Sequence, residues 1–300
     1  MTESTVPVEP IPFRELLDEA MKLTRRHFGA IYLLVAVPLA LLATVTVVLQ
    51  SRYLQEMAGP RGAAAMVSGR GCLTFIASLA LTMIVQGLTS GVLTAAAVDG
   101  ASGRPIDIKA NWAFILQPRS LGTLFLSLIV ILAGFICLII PGVYLMLGLS
   151  FVVPVMAAER LFGSGALGRS WKLVRYNPHK GFLKNTPTKI FLLYLVAGLI
   201  AYAVTFFIQL PFSAMQGVRV ARSVASGAAA NPQAIYGPIW MRMASAILGS
   251  LTTTAVYIYS SFGIVLLYQD VVRRKEGSDL AAAIDARFGG QPAPPAAPRG

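Results

Sequence analysis

Charge is missing from long stretches of this chain. Five blocks, 27–51, 71–98, 120–158, 190–218 and 243–269, hold no Asp, Glu, Lys or Arg and make up about half of the 300 residues. A helix needs about 20 apolar residues to cross a hydrocarbon core of about 30 Å. Four blocks suit one crossing each. The block 120–158 is too long for one and is interrupted by Pro141-Gly142, so it reads as two. The expected fold is all-α and polytopic: six transmembrane helices with short interfacial amphipathic helices. Composition agrees, at 56% hydrophobic and 13% charged where a soluble domain carries about 25% charged residues. The longest hydrophilic stretch, 159–189, is too short to fold as a separate catalytic domain.

The net charge is +12, which in a soluble chain would point to nucleic acid. Here it follows the membrane. With the N-terminus placed in the cytoplasm, nineteen of the 25 Lys and Arg residues fall on the inner side. This is the positive-inside pattern, and it puts both termini in the cytoplasm. No nucleic-acid-binding motif is present, and no cofactor is implied. The 27 residues before the first apolar run are polar and that run exceeds a signal-peptide core, so it is expected to remain as an anchor.

The pattern divides the chain into a loose tail over 1–12, a single membrane domain over 13–288 and a disordered Pro/Ala/Gly-rich tail over 289–300. Phe13–His27 carries Leu16, Leu17, Ala20 and Leu23 on one side and reads as an amphipathic helix in the inner interface. Transmembrane helices are expected at Phe28–Leu49, kinked at Pro38, and at Cys72–Val98, Leu121–Ile140, Val143–Ala158, Ile190–Leu210 and Ile239–Tyr268. Asp99–Gly103 should form a turn, and Pro141-Gly142 another. Short interfacial helices are expected at Ile106–Leu116 and Gly277–Phe288. A short amphipathic helix precedes a transmembrane pair three times, anchored at Met21-Lys22-Leu23, Trp112-Ala113-Phe114 and Trp171-Lys172-Leu173, which suggests three two-helix units around a centre.

Every carboxylate lies outside the charge-free blocks, which disfavours a proton relay or coupled pump. No Ser/His/Asp set or metal-ligand spacing can be assembled, so no enzyme activity is expected. His27 and His179 sit among basic residues and read as interfacial. Cys72 and Cys137 read as small apolar fillers rather than a disulfide. Two patterns remain as candidate sites. Gln86, Gln209, Thr253 and Ser260 lie within apolar blocks and could line a polar interior, although helix packing accounts for such residues more simply. Gly87 and Gly91 suit close helix contact. Arg169, Lys172 and Arg175 recur every third residue and, continued by Lys180 and Lys184, could hold an anionic headgroup. Simple orientation under the positive-inside rule is the plainer account.

Pro141-Gly142-Val143-Tyr144-Leu145, Pro154, Ser170-Trp171-Lys172-Leu173-Val174-Arg175 and the closing run from Tyr268 to Leu280 resemble the bacterial glycerophosphoryl diester phosphodiesterase membrane-domain family. The likeness runs from Phe13 to about Leu280. It implies a multi-helix inner-membrane module without the hydrolase domain that gives the family its name, and no catalytic residue carries over. In the closing run, Asp270 is placed to pair with Arg274, and Gly277 to end the helix. The expected role is binding, scaffolding or assistance to a partner. Membrane lipids are the expected partners, with a second membrane protein or another copy of the chain beside them. The rival is a transporter or permease for a small or lipid-like solute.

Overall fold

The computed structural model describes residues 11–57, 69–176, 185–225 and 238–288. All regular structure among them is helical: α1 (Phe13–Met57), α2 (Gly69–Ala101), α3 (Ile108–Ile115), α4 (Pro118–Cys137), α5 (Ile139–Gly148), α6 (Val152–Glu159), α7 (Ser164–Val174), α8 (Thr186–Ala225) and α9 (Ile239–Phe288). Five spans, carried by α2, α4, α5 with α6, α8 and α9, are long and apolar enough to cross a bilayer, and the two arms of α1 together make a sixth. Their outward faces are apolar: Ile136, Ile140, Leu199, Tyr202 and Phe207 are all widely exposed. In water a belt of this kind would drive association; against lipid chains it is the expected surface. The protein is a multi-pass membrane protein.

Several expected boundaries move. The interfacial helix over Phe13–His27 and the first span form one continuous α1. Leu16, Ala20 and Thr24 are buried, and α1 packs along α9 more extensively than any other helix pair. The apolar stripe therefore docks on protein rather than lying free in the interface. α1 turns by 61° between Phe13–Tyr32 and Val35–Ser51. That bend precedes Pro38 by one turn, where the proline ring crowds the carbonyl of residue 34 and removes its hydrogen bond.

The turn between the third and fourth spans is a single extended residue, Leu138 (φ −167, ψ 154). Pro141 instead sits in the first turn of α5, where helix N–H groups have no partner to lose. Gly142 serves the contact: a Cβ on Gly134 would come 3.1 Å from its Cα. Side chains at either position would force the two arms apart. α5 then breaks over Leu149–Phe151 before α6 begins.

α8 runs through Pro211 to Ala225, fifteen residues past the Leu210 end that the apolar run predicts. Proline is tolerated in spanning helices, and the Ala, Met, Gln and Arg residues that follow favour helix. At 40 residues it reaches about 60 Å at a rise of 1.5 Å per residue, twice the hydrocarbon core. α9 likewise continues past Gly277 to Phe288. A mid-helix glycine costs only about 1 kcal/mol relative to alanine, and Leu280-Ala281-Ala282-Ala283 resumes strong helix formers. Asp99 and Gly100 are the end of α2, and the turn follows them with Gly103 at φ +69. α3 forms as expected, capped by Asp107, whose carboxylate accepts the Ala110 amide hydrogen at 3.1 Å.

The helix pairs pack unevenly rather than evenly around a centre. α1, α2, α8 and α9 form the bundle, whereas α4 and α5 pack chiefly on each other. That hairpin stands to one side, tied to the bundle through α6 on α2 and through α7. Cys137 at its tip is a free, exposed thiol, so it fills no helix interface. His179, Lys180, Lys184, the tails over 1–10 and 289–300, and most of the loops before α2 and α9 lie outside the described residues.

Candidate functional site

One end of the bundle gathers the charged groups. Glu159 closes α6, and its carboxylate accepts both the Arg169 Nε hydrogen at 2.9 Å and the Tyr268 hydroxyl hydrogen at 2.8 Å. Arg169 also reaches Glu276 at 3.3 Å. α6, α7 and α9 are thereby joined. Asp270 pairs with Arg274 at 2.8 Å with both side chains buried, as the one-turn spacing predicts. Lys189 at the start of α8 is 2% exposed. Its ammonium donates to the Ile11 carbonyl at 2.7 Å and lies within electrostatic reach of Asp270 and Arg274. The start of the described chain therefore meets α8 and the Asp270–Arg274 stretch of α9 at this basic end.

The expected headgroup residues separate into two kinds. Arg169 is held by two carboxylates and faces the bundle. Lys172 and Arg175 are exposed, and the Arg175 guanidinium stacks over the Trp171 ring at 5.7 Å. Trp171 in turn meets Tyr144 edge-on and covers Gly148, where a Cβ would collide with its ring. The Ser170 hydroxyl donates to the Gly148 carbonyl at 2.8 Å. α7 thus sits directly on the joint between α5 and α6. Its basic face is legible as a repeat of three; its seating on Gly148 is not.

Beside that joint lies a cavity of about 740 Å³ between α2, the α4–α5 hairpin, α6 and α9, with Tyr194 of α8 also in its lining. Leu149 and Ser150, which follow Gly148, line it. No charged side chain does; the polar contributions are the hydroxyls of Ser90, Thr94, Ser127, Ser150, Ser260 and Ser261 with those of two tyrosines. Met83, Ile84 and Phe125 line the cavity and are also exposed on the flank of the molecule. It therefore opens sideways, between α2 and α4, into the hydrocarbon region. Gly87 belongs to this wall, and a Cβ there would meet nothing within 4 Å. Of the expected glycine pair only Gly91 lies in a close approach, where a Cβ would come 3.3 Å from Ile115 Cδ1.

A second cavity of about 360 Å³ lies between α1, α2 and α9, lined by Leu39, Thr46, Gln50, Thr82, Gln86, Thr253 and their neighbours. Gln86 donates its amide hydrogen to the Tyr257 hydroxyl, and Tyr257 lines both cavities. Of the expected polar interior, Gln86 and Thr253 belong to the smaller cavity and Ser260 to the larger. Gln209 belongs to neither; its amide donates to the Ser245 carbonyl at 2.9 Å and ties α8 to α9. Most hydroxyls in these helices bond their own helix. Thr253 donates to Gly249 and Ser260 to Tyr257, at 2.7 and 3.0 Å. This back-bonding leaves them little part in joining helices.

No group of three His, Cys, Asp or Glu side chains comes together among the described residues. In comparisons with known proteins, no family model, curated protein or solved structure matches the chain.

Proposed function

We propose that this protein is a non-catalytic lipid-binding module of a bacterial inner membrane, oriented with both termini in the cytoplasm. An anionic phospholipid sits with its headgroup at Lys172 and Arg175 and a chain in the larger cavity. The observation that carries this reading is the joint at Gly148. α7 docks on it through Ser170 and Trp171, while the next two residues along the chain line the cavity. A charged site and an apolar one are thus built on adjacent residues, in the order that a lipid presents its own parts. The uncharged lining suits a hydrocarbon chain, and the size lies within the ~300–1,000 Å³ of ordinary ligand sites. Membership of the glycerophosphoryl diester phosphodiesterase membrane-domain family is part of the same proposal. It rests on the motif residues Gly142, Ser170, Trp171, Tyr268, Asp270 and Arg274, each of which makes a specific contact here.

Each basic group near an anionic headgroup contributes about 1 kcal/mol. Replacing Lys172 and Arg175 by Gln is therefore expected to weaken anionic phospholipid binding about thirtyfold. Mass spectrometry of protein purified in mild detergent reads this directly. Equal retention of phosphatidylglycerol by the wild type and the double variant would reject the headgroup site. Arg169 is left out of the test because its loss would strip Glu159 of its cation and break the tie between α7 and α6.

A second reading, passage of a lipid-like solute, is favoured by the placement of the smaller cavity toward the opposite end of the bundle. It requires fluorescent lipid to exchange between leaflets faster in proteoliposomes than in protein-free vesicles.

A further inference from the structure

The two cavities stand in series along α9 and lie on different faces of α2. On α9, Ser260, Ser261 and Ile264 line the larger one, and Ser250 and Thr253 the smaller. Tyr257 lies between these sets and lines both. On α2, Gln86 holds the Tyr257 hydroxyl and Gly87 opens into the larger cavity. The larger cavity lies nearer the basic end, because α9 runs on from Ile264 to the Asp270–Arg274 pair. On α9 the far wall of the larger cavity is therefore the Tyr257 ring, pinned by Gln86, while on α2 the cavity reaches Met83 and Ile84 at its open flank.

We propose that Tyr257 is a chain-length stop: it sets the longest hydrocarbon chain that the larger cavity accepts and closes off the smaller cavity behind it. The inference rests on the lipid-binding reading above and assigns its specificity. A chain entering beside Lys172 and Arg175 runs along Ser150 and Ser260 toward the middle of the bundle. A chain that fits ends before the ring. A longer one must fold back or leave through the opening between α2 and α4. Surrounding lipid is as apolar as the cavity, so burial by itself brings little gain. Discrimination comes from exclusion, and only a rigid wall provides that. An aromatic ring held by a hydrogen bond meets the requirement better than the aliphatic side chains around it.

The test uses the full chain in detergent and phosphatidylglycerols with saturated chains from myristoyl to lignoceroyl, offered in competition and counted by native mass spectrometry. The wild type is expected to show a cut-off in chain length. Tyr257→Ala joins the cavities and should raise binding of the longest probe relative to the shortest by about tenfold, the scale set by a few methylenes in an apolar pocket. Tyr257→Leu, a milder change, should shift the profile in the same direction by less. Adding Ala246→Phe, which fills the smaller cavity, should return the Tyr257→Ala profile to the wild-type one. A wild type without a cut-off, or Tyr257 variants that bind lipid with an unaltered profile, overturns the stop. Loss of the cut-off that Ala246→Phe fails to reverse also overturns it. A wild type that binds none of the probes rejects the lipid site itself, a separate and distinguishable failure.

Discussion

At the scale of single residues, the basic end is organised around Asp270. It pairs with Arg274 inside the protein and is the opposite charge nearest in role to Lys189, which is otherwise satisfied by a backbone carbonyl. Arg274 thus pairs with this carboxylate directly, and buried Lys189 feels its charge without touching it. Removing the carboxylate leaves both uncompensated, which for buried pairs costs about 3–5 kcal/mol. Removing Arg274 leaves Asp270 with Lys189 and should cost only about 2 kcal/mol, the scale of a lost charged hydrogen bond. Thermal unfolding in detergent should therefore show Asp270→Asn as clearly less stable than Arg274→Met. The reverse order would mean that Lys189 does not depend on Asp270. The Asp270–Arg274 pair is legible in the sequence because it spans one helical turn. The approach of Lys189 is not, because Ile11, Lys189 and Asp270 come from three distant parts of the chain.

At the scale of elements, hydrophobic runs locate spans well and their ends poorly. The runs reflect the solvent, since a bilayer demands apolar surface over a set length. Helix ends reflect local backbone chemistry, which the membrane does not impose. α8 passes Pro211 and α9 passes Gly277, and the residues that follow each of them favour helix. The hairpin of α4 and α5 shows the opposite case. Pro141-Gly142 is a turn signal in water, yet here the proline begins a helix and the glycine makes room for Gly134 and Phe135. A Cβ at residue 142 would lie 2.9 Å from the Phe135 Cα, a backbone position that cannot yield cheaply. Gly142→Leu is accordingly expected to splay the hairpin and destabilise the protein by about 1–3 kcal/mol through overpacking. Faster proteolysis near the hairpin, with the remaining bundle intact, would report it. Unchanged protease resistance would show that the two arms can separate without cost.

At the scale of the whole molecule, the side-on position of the α4–α5 hairpin matters most. A symmetric arrangement of three helix pairs would close the centre. Here four helices fill the bundle, and the second pair leans against it through α6 and α7, leaving the larger cavity open to one flank. Gly87 and Gly122 both line that cavity, and a Cβ at either would meet nothing within 4 Å. Gly87→Leu together with Gly122→Leu should thus fit without strain, and better helix propensity should hold stability level or raise it by up to about 1 kcal/mol per site. The same variant should lose most bound phospholipid while keeping Lys172 and Arg175 intact. Preserved lipid content in a stable, well-folded variant would separate the cavity from lipid binding.

The sequence alone determined that this chain is helical and crosses a membrane several times, because the absence of charge over spans of bilayer length has one physical solution. It also marked the basic face of α7 and the buried pair on α9, whose members lie within one or two turns of each other. Tertiary structure decided what those residues do. Lys172 and Arg175 stay exposed while Arg169 is captured by Glu159 and Glu276. Tyr257 is a wall between two cavities and not simply one more hydroxyl on a helix. Such facts depend on which helices meet. In a bilayer many apolar faces are interchangeable, so helix partners are chosen by side-chain fit between segments far apart in the chain.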